Sequence, residues 1–148
     1  PKSITVNSEI EGLFEEGCTS FKFVWQVLEG LPKEIEPLDW GFAYRGFRNI
    51  AKLGGQAIAT LHCEQPDIIA LLQRELMEQN RTDLAAWTDA RPAICETIDV
   101  FTAGLICLEL GCPLYIVHIS AWQTMEVIKF LRQMKVKIYA ETCPHYLI

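Results

Sequence analysis

Three ionisable side chains, Lys22, His62 and His118, lie within or at the ends of short apolar runs rather than in polar loops. A charged amine inside such a run costs free energy unless its protonation state changes. A lysine with a lowered pKa is a nucleophilic amine that can capture carbon dioxide as a carbamate. Neutral imidazole is the commonest metal ligand. Such a carbamate is an anion with two oxygens, so together the three residues could hold two divalent cations.

Each of these residues also has a structural interpretation when it is taken alone. A strand lysine can extend its amine to solvent, and a strand histidine can hydrogen-bond a neighbouring carbonyl. The joint pattern favours a site, because the carboxyl ends of parallel strands converge at one edge of a sheet or barrel. Lys22, His62 and His118 are therefore predicted to face one another.

The elements that must position this trio alternate along the chain. Four apolar runs are predicted as strands that are buried on both faces: Thr19 to Trp25, Gln56 to His62, Leu114 to Ile119 and Val136 to Ala140. The intervening segments have helical periodicity, which gives the order β-α-β-α-α-β-α-β. Alternation of this kind predicts a parallel sheet with right-handed crossovers, either open and doubly wound or closed as a barrel.

Helix start and stop signals accompany the periodic segments. A glycine can end a helix because it adopts the left-handed conformation without strain. The first predicted helices are a short piece from Glu9 to Glu16, one from Pro37 to Leu53 that stops at Gly54-Gly55, and one that begins with Pro66 and Asp67. A further helix starts at Pro92 and stops at Gly111, and the last has Ser120 as its N-cap. The apolar stripe of the helix from Pro92 consists of Ile94, Ile98, Phe101, Leu105 and Leu108.

Composition narrows the class of protein. The 148 residues carry 19 acidic and 13 basic side chains, for a formal charge of −6, and 50% are hydrophobic. No basic stripe would grip nucleic acid, and no run of about 18 apolar residues would span a membrane. The six cysteines lack paired spacing, so we expect reduced, mostly buried thiols. A single domain over residues 1–148, located in the cytoplasm, is the expectation.

Five short motifs in a fixed order resemble those of the cyclic amidohydrolases, specifically the hydantoinase, dihydropyrimidinase and allantoinase group. They extend over nearly the whole chain, from Cys18 to Leu147. The motifs are Ser20-Phe21-Lys22-Phe23, Leu61-His62-Cys63-Glu64, Ala90-Arg91-Pro92 with Glu96, Ile116-Val117-His118-Ile119-Ser120, and Glu141-Thr142-Cys143-Pro144-His145-Tyr146-Leu147.

The resemblance implies the central part of a (β/α)8 TIM barrel, about strands 4 to 7, in an α/β protein whose barrel is incomplete in this chain. It implies hydrolysis of a ring amide of the hydantoin, dihydropyrimidine or allantoin type, with two divalent metal ions, zinc in most members. Lys22 would be the N6-carboxylysine that bridges the metals, and carbon dioxide would be needed for its carboxylation. His62 and His118 would bind one metal.

Supporting roles follow from the same motifs. Glu64 and His145 are candidates for orienting the histidine ligands. Arg91 and Glu96 are expected to form an ion pair or to position a loop, although a solvated surface pair would look the same in sequence. Trp87 and Trp122 are interpreted as packing residues. The partners implied are a small cyclic amide or ureide and other copies of the chain in a homo-oligomer, a tetramer by family resemblance.

Departures from the family pattern leave alternatives open. The chain has no His-x-His pair and no late catalytic aspartate, so by itself it is expected to be inactive. Val27 stands where hydantoinases often have a tyrosine that supports the oxyanion. This favours an allantoinase-like member, or a catalytically inactive, dihydropyrimidinase-like scaffold. A nucleotide-binding open sheet ranks last, because no G-x-G-x-x-G follows a strand.

Overall fold

A four-stranded parallel sheet forms the centre of the structure, which is a computed structural model that describes residues 9–25 and 39–147. The strands are β1 (Ser20–Val24), β2 (Ile58–His62), β3 (Leu114–Ile116) and β4 (Ile138–Ala140), and they pair in chain order, β1-β2-β3-β4. A doubly wound sheet reverses its strand order at a switch point, whereas the strands of a barrel follow one another. The uninterrupted order therefore favours the barrel over the open sheet.

The helices lie between the strands, as the periodicity predicts. Their bounds are α1 (Ile10–Glu15), α2 (Trp40–Ala51), α3 (Pro66–Glu78), α4 (Leu84–Asp89), α5 (Ala93–Leu110) and α6 (Trp122–Gln133), followed by a 3₁₀ turn at Pro144–Tyr146. Gly111 ends α5 with φ of 68°, as predicted. The first two residues of the predicted helix from Pro37 to Leu53 lie outside the described residues. Helix α4, capped by Asp83, is too short for its periodicity to be recognised from sequence.

The two faces of the sheet differ in burial. One face contributes Phe23, Leu61, Leu114, Ile116 and Ile138 to a core that it shares with the helices. The other face carries Lys22, Thr60, Tyr115 and Tyr139, which neighbour one another across the four strands. On that second face Tyr139 is 54% exposed. The prediction of strands buried on both faces is therefore wrong for the described residues, because helices cover only one face.

Helix α5 packs through the face that the sequence analysis did not choose. The predicted stripe of Ile94, Ile98, Phe101, Leu105 and Leu108 is between 36% and 51% exposed. The buried face is made of smaller residues, namely Cys95, Asp99, Val100, Ala103, Gly104 and Cys107. Both faces are apolar at helical spacing, so periodicity alone cannot distinguish them. The small side chains let α5 lie close to the sheet and to α6.

Gly104 marks the closest approach between α5 and α6. A Cβ at this position would overlap Cδ1 of Leu131 and lie 3.0 Å from its Cγ, and Leu131 is fully buried. Overpacking of this kind costs about 1–3 kcal/mol, more than the roughly 1 kcal/mol that alanine gains over glycine in a helix. We expect Gly104→Ala to lower the melting temperature of a full-length protein that carries these residues.

The cause of that loss can be checked in a second background. Leu131→Ala vacates the space, so Gly104→Ala should become neutral or stabilising once Leu131 is absent. Gly12→Ala in α1 is a matched control, because nothing lies within 4 Å of its added Cβ and the helix propensity gain stands alone. Equal destabilisation by Gly104→Ala in both backgrounds would show that the helices do not pack as described.

Four of the six cysteines, Cys63, Cys95, Cys107 and Cys112, are buried, and all six thiols are free of disulfides. Within residues 9–25 and 39–147, no helix is both long enough and apolar enough to cross a membrane.

Candidate metal centre

His62 is the last residue of β2, and the strand register gives its direction. It pairs with Val24 of β1, two residues after Lys22, so His62 and Lys22 lie on the same face of the sheet. Leu61 and Cys63, its neighbours in sequence, are buried on the helix side. Strand alternation therefore places the His62 imidazole on the uncovered face, at the carboxyl end of β2.

His118 reaches the same place by a different route. Strand β3 ends at Ile116, three residues earlier than predicted, because His118 has a φ of 43° in the left-handed region. Such a backbone is uncommon for a residue other than glycine. On either side of it, the Glu141 N–H donates to the Ile116 carbonyl at 3.1 Å and the Ile119 N–H donates to the Glu141 carbonyl at 2.8 Å. The backbone therefore departs from regular strand geometry at Val117 and His118, between these two hydrogen bonds.

The two imidazoles converge through one nitrogen each. His62 Nδ1 and His118 Nε2 are 3.0 Å apart, and the ring centroids are 4.7 Å apart with the planes inclined at 62°. Two nitrogens at the usual Zn–N distance of about 2.0–2.1 Å, in tetrahedral geometry, lie roughly 3.3 Å from each other. A small outward shift of the rings would therefore make room for a shared cation.

The protonation state of His118 suits a ligand. Burial lowers its pKa, and the neighbouring charges of His62 and Lys22 act in the same direction. The imidazole is therefore neutral at neutral pH and offers a lone pair without first losing a proton. Among the described residues, no group of three or more His, Cys, Asp or Glu side chains is arranged to hold a metal.

Lys22 lies on the same face as the histidines, but it is exposed. The expectation of a buried amine is wrong for the described residues, because its face of the sheet has no helix over it. Partial burial still lowers the pKa of Lys22, while the charges of Cys63 and Glu141 oppose the shift. A lowered pKa increases the fraction of neutral amine, which is the form that reacts with carbon dioxide.

Glu64 joins the histidine pair to the helix layer. Its Oε2 lies 2.9 Å from His62 Nε2, and its Oε1 accepts a hydrogen bond from Arg91 Nε at 2.7 Å. The hydrogen bond with His62 is the largest cause of a lowered Glu64 pKa, which keeps this carboxylate ionised. Glu64 therefore occupies the place expected of a residue that orients a histidine ligand.

Arg91 forms an ion pair with Glu64 rather than with Glu96. Its side chain is 15% exposed and that of Glu64 is 18% exposed, so this is not a solvated surface pair. The guanidinium also stacks 3.3 Å from the ring centroid of Trp87 and donates to the Trp87 carbonyl. Trp87 is 63% exposed and Trp122 is 72% exposed, so neither packs in the core, and the packing role predicted for Trp87 is confined to its surface contact with Arg91.

Glu96 positions the loop that follows His118. Its carboxylate accepts hydrogen bonds from the Ser120 N–H and hydroxyl at 2.9 and 2.8 Å, and from the Ala121 N–H at 3.2 Å. Ala121, not Ser120, is the N-cap of α6, so that prediction is wrong. The Ser120 hydroxyl is directed to Glu96 instead of to the helix end. Of the two roles considered for Glu96, the geometry supports loop positioning.

His145 lies apart from the other two histidines. It is exposed in the 3₁₀ turn, and its ring contacts Tyr146 with centroids 4.4 Å apart. No contact within the described part of the chain joins His145 to His62 or His118.

The sequence analysis missed two polar groups near the cluster. Tyr115 donates from its hydroxyl to Glu141 Oε2 at 2.8 Å on the uncovered face. Asp99 is 1% exposed within α5, where burial raises its pKa to about 7. The same helix also contains Glu96 and Glu109, so nothing in the sequence distinguishes Asp99 as the buried carboxylate.

The fold and the cluster define a class of protein: a segment of a (β/α)8 barrel with its polar groups at the carboxyl ends of the strands. Solved structures agree. The chain superposes on a crystal structure of a D-hydantoinase with a TM-score of 0.86 and a sequence identity of 28%. The matched region covers 99% of this chain and 30% of the D-hydantoinase chain. The structure of the D-hydantoinase from Bacillus sp. AR9 superposes with a TM-score of 0.86 and a sequence identity of 26%. The match covers 98% of this chain and 30% of that protein.

Sequence relatives give the family. The chain is 36% identical over 140 residues to an allantoinase of Solibacter usitatus (strain Ellin6076), which covers 95% of the chain and 30% of that protein. It is 32% identical over 134 residues to a D-hydantoinase of Geobacillus stearothermophilus. That match covers 90% of the chain and 27% of the D-hydantoinase. No protein-family model matches. The chain belongs to the cyclic amidohydrolases, in their hydantoinase and allantoinase group, and spans about 30% of the length of these relatives.

Proposed function

We propose that the protein to which this chain belongs is a metal-dependent hydrolase of a small cyclic amide or ureide. The observation that carries the proposal is the approach of His62 Nδ1 to within 3.0 Å of His118 Nε2 at the carboxyl ends of adjacent strands. Relatives named allantoinase and D-hydantoinase support the same reaction class. Because those relatives carry enzyme names, the inactive scaffold alternative is not favoured.

The donor set of the chain fits one half of a two-cation site. His62 and His118 would hold one cation, zinc in our proposal, and the carboxylated Lys22 would bridge it to a second. When bound, such cations polarise a carbonyl and lower the pKa of a water. Carboxylation of Lys22 joins the neutral amine to the carbon of carbon dioxide and releases one proton, leaving an anion with two oxygen donors.

The remaining residues of the cluster orient these ligands. Glu64 accepts a hydrogen bond from the His62 Nε2–H, a tautomer that leaves the Nδ1 lone pair directed at His118. Arg91 holds Glu64 in place. Glu96 anchors the backbone after His118 and so helps to maintain the left-handed turn. We further propose that the full protein is a homo-oligomer, by its resemblance to the family.

The proposal is tested on a full-length protein that carries these 148 residues. We expect close to two divalent cations per chain by elemental analysis, and hydrolysis of at least one of allantoin, hydantoin and dihydrouracil that stops after chelation and returns with zinc. The 148-residue chain alone, which supplies three of the ligands, is expected to be inactive. Absence of bound metal together with absence of hydrolysis in the full-length protein would refute the proposal.

A further inference from the structure

A carboxylate buried in the middle of α5 is not explained by the packing of the helix. Asp99 is 1% exposed and lies on the face that carries Val100, Ala103 and Cys107, toward the core. Burying a carboxylate costs free energy unless its oxygens are hydrogen-bonded. Among the described residues, Asp99 is the only buried acidic side chain, so its partners indicate what it does.

Both oxygens of Asp99 bind the loop that directly follows His62. Oδ2 accepts the backbone N–H of Glu64 at 3.1 Å, and Oδ1 accepts the side-chain amide of Gln65 at 3.2 Å. The Gln65 N–H also donates to the Cys95 carbonyl of α5 at 3.0 Å. The loop between β2 and α3 is therefore attached to α5 at three points, and two of them are on one side chain.

Glu64 is held at both ends by these contacts. Its backbone N–H is bound by Asp99, its Oε1 by Arg91, and its Oε2 lies 2.9 Å from His62 Nε2. If the backbone of Glu64 moved, its carboxylate could not keep this contact with His62. The direction of the opposite ring nitrogen, Nδ1, toward His118 depends on that contact.

We propose that Asp99 is a positioning residue for the metal centre: by fixing the backbone of Glu64, it holds His62 with Nδ1 directed at His118. The inference rests on the proposed function insofar as His62 is a metal ligand. Asp99 makes no hydrogen bond to either histidine, so its geometric hold on His62 runs through Glu64. Partners that orient histidine ligands typically change metal affinity 10–100-fold when they are removed.

The test compares two substitutions in α5 of a full-length protein. Asp99→Asn keeps the shape of the side chain but replaces one acceptor oxygen with a donor, so it cannot accept both hydrogen bonds. Val100→Ala, at the adjacent and fully buried position, is the control, because it lowers stability without touching the loop. The measurements are the melting temperature and the zinc affinity by competition with a chelator.

We expect Asp99→Asn to weaken zinc binding about 10–100-fold, whereas Val100→Ala leaves it within about twofold of the parent value. Zinc affinity in Asp99→Asn within twofold of the parent would overturn the proposal, because the carboxylate would then serve stability alone. If Asp99→Asn does not fold, Gln65→Leu is used in its place. It removes the Gln65 contact of Asp99 and leaves the contact with the Glu64 N–H, so zinc affinity is expected to stay within about twofold of the parent; a loss of about tenfold or more would overturn the proposal, because the loop would then be held through Gln65 rather than through Glu64.

A structural measurement separates this inference from the proposed function. In metal-free crystals of Asp99→Asn, His62 Nδ1 and His118 Nε2 are expected to separate beyond hydrogen-bonding distance, while they remain paired in metal-free Val100→Ala. A parent that binds no zinc but shows this difference would refute the metal site and keep the positioning role. An unchanged histidine pair in Asp99→Asn would refute the positioning role itself.

Discussion

Replacing His118 with asparagine is expected to reduce the affinity for one of the two proposed cations by more than about 100-fold and to abolish the proposed hydrolysis. The loss of a direct ligand should exceed the 10–100-fold cost of losing a partner that only orients a ligand. Asparagine is preferred to alanine here, because His118 has a positive φ of 43° and asparagine tolerates that backbone better. Elemental analysis and steady-state kinetics on the full-length protein measure the two effects.

His145 provides the matched histidine control. Its ring is exposed and contacts Tyr146, so His145→Ala should retain the metal content and the rate of the parent. Equal metal loss in His118→Asn and His145→Ala would contradict the assignment, as would a fully loaded and active His118→Asn. Loss in His145→Ala alone would restore the orienting role that the family motif suggested for this residue.

The placement of Lys22 and His62 could be predicted because it depends only on strand alternation and strand ends. Lys22 and His62 have the same parity across the paired strands β1 and β2, and a parallel sheet brings their carboxyl ends together. His118 does not follow this rule. By alternation it would join Ile116 on the buried face, and only the left-handed turn brings its ring to the uncovered face. The pairing pattern around Glu141 that accompanies this turn leaves no sequence signal.

Most features that could not be predicted from the sequence are contacts between segments that are distant along the chain. The sequence predicted Arg91 to pair with Glu96, but the ion pair is with Glu64, because the choice of partner depends on how α5 packs against the loops. The packed face of α5 was misassigned because Val100 and Ala103 are as apolar in pattern as Ile98 and Phe101. Hydrophobic periodicity identifies a helix, but the size of the side chains determines which face can approach a sheet closely.

Replacing Lys22 with alanine should lower kcat/KM by at least about 100-fold, on the scale of several kcal/mol that cations contribute to such reactions. The position of Lys22 also predicts chemical rescue of the alanine variant by a small carboxylate. Lys22 lies on the same face as the histidine pair, and its replacement by alanine removes side-chain volume that a small carboxylate can occupy. If the function of Lys22 is to supply a carbamate, formate or acetate should then restore part of the activity and of the bound metal.

The same carboxylate should not rescue His118→Asn, because a nitrogen ligand is missing there rather than an anionic bridge. Lys129→Ala is the control for charge alone, since Lys129 is an exposed lysine paired with Glu126 on α6. Intact mass measured under carbon dioxide should show one added carboxyl group in the parent and none in Lys22→Ala. Full activity and metal content in Lys22→Ala would exclude Lys22 from the site and reduce the role of this chain to its two histidines. Rescue confined to Lys22→Ala would show that Lys22 supplies an anionic bridge, a role distinct from that of the two histidine ligands.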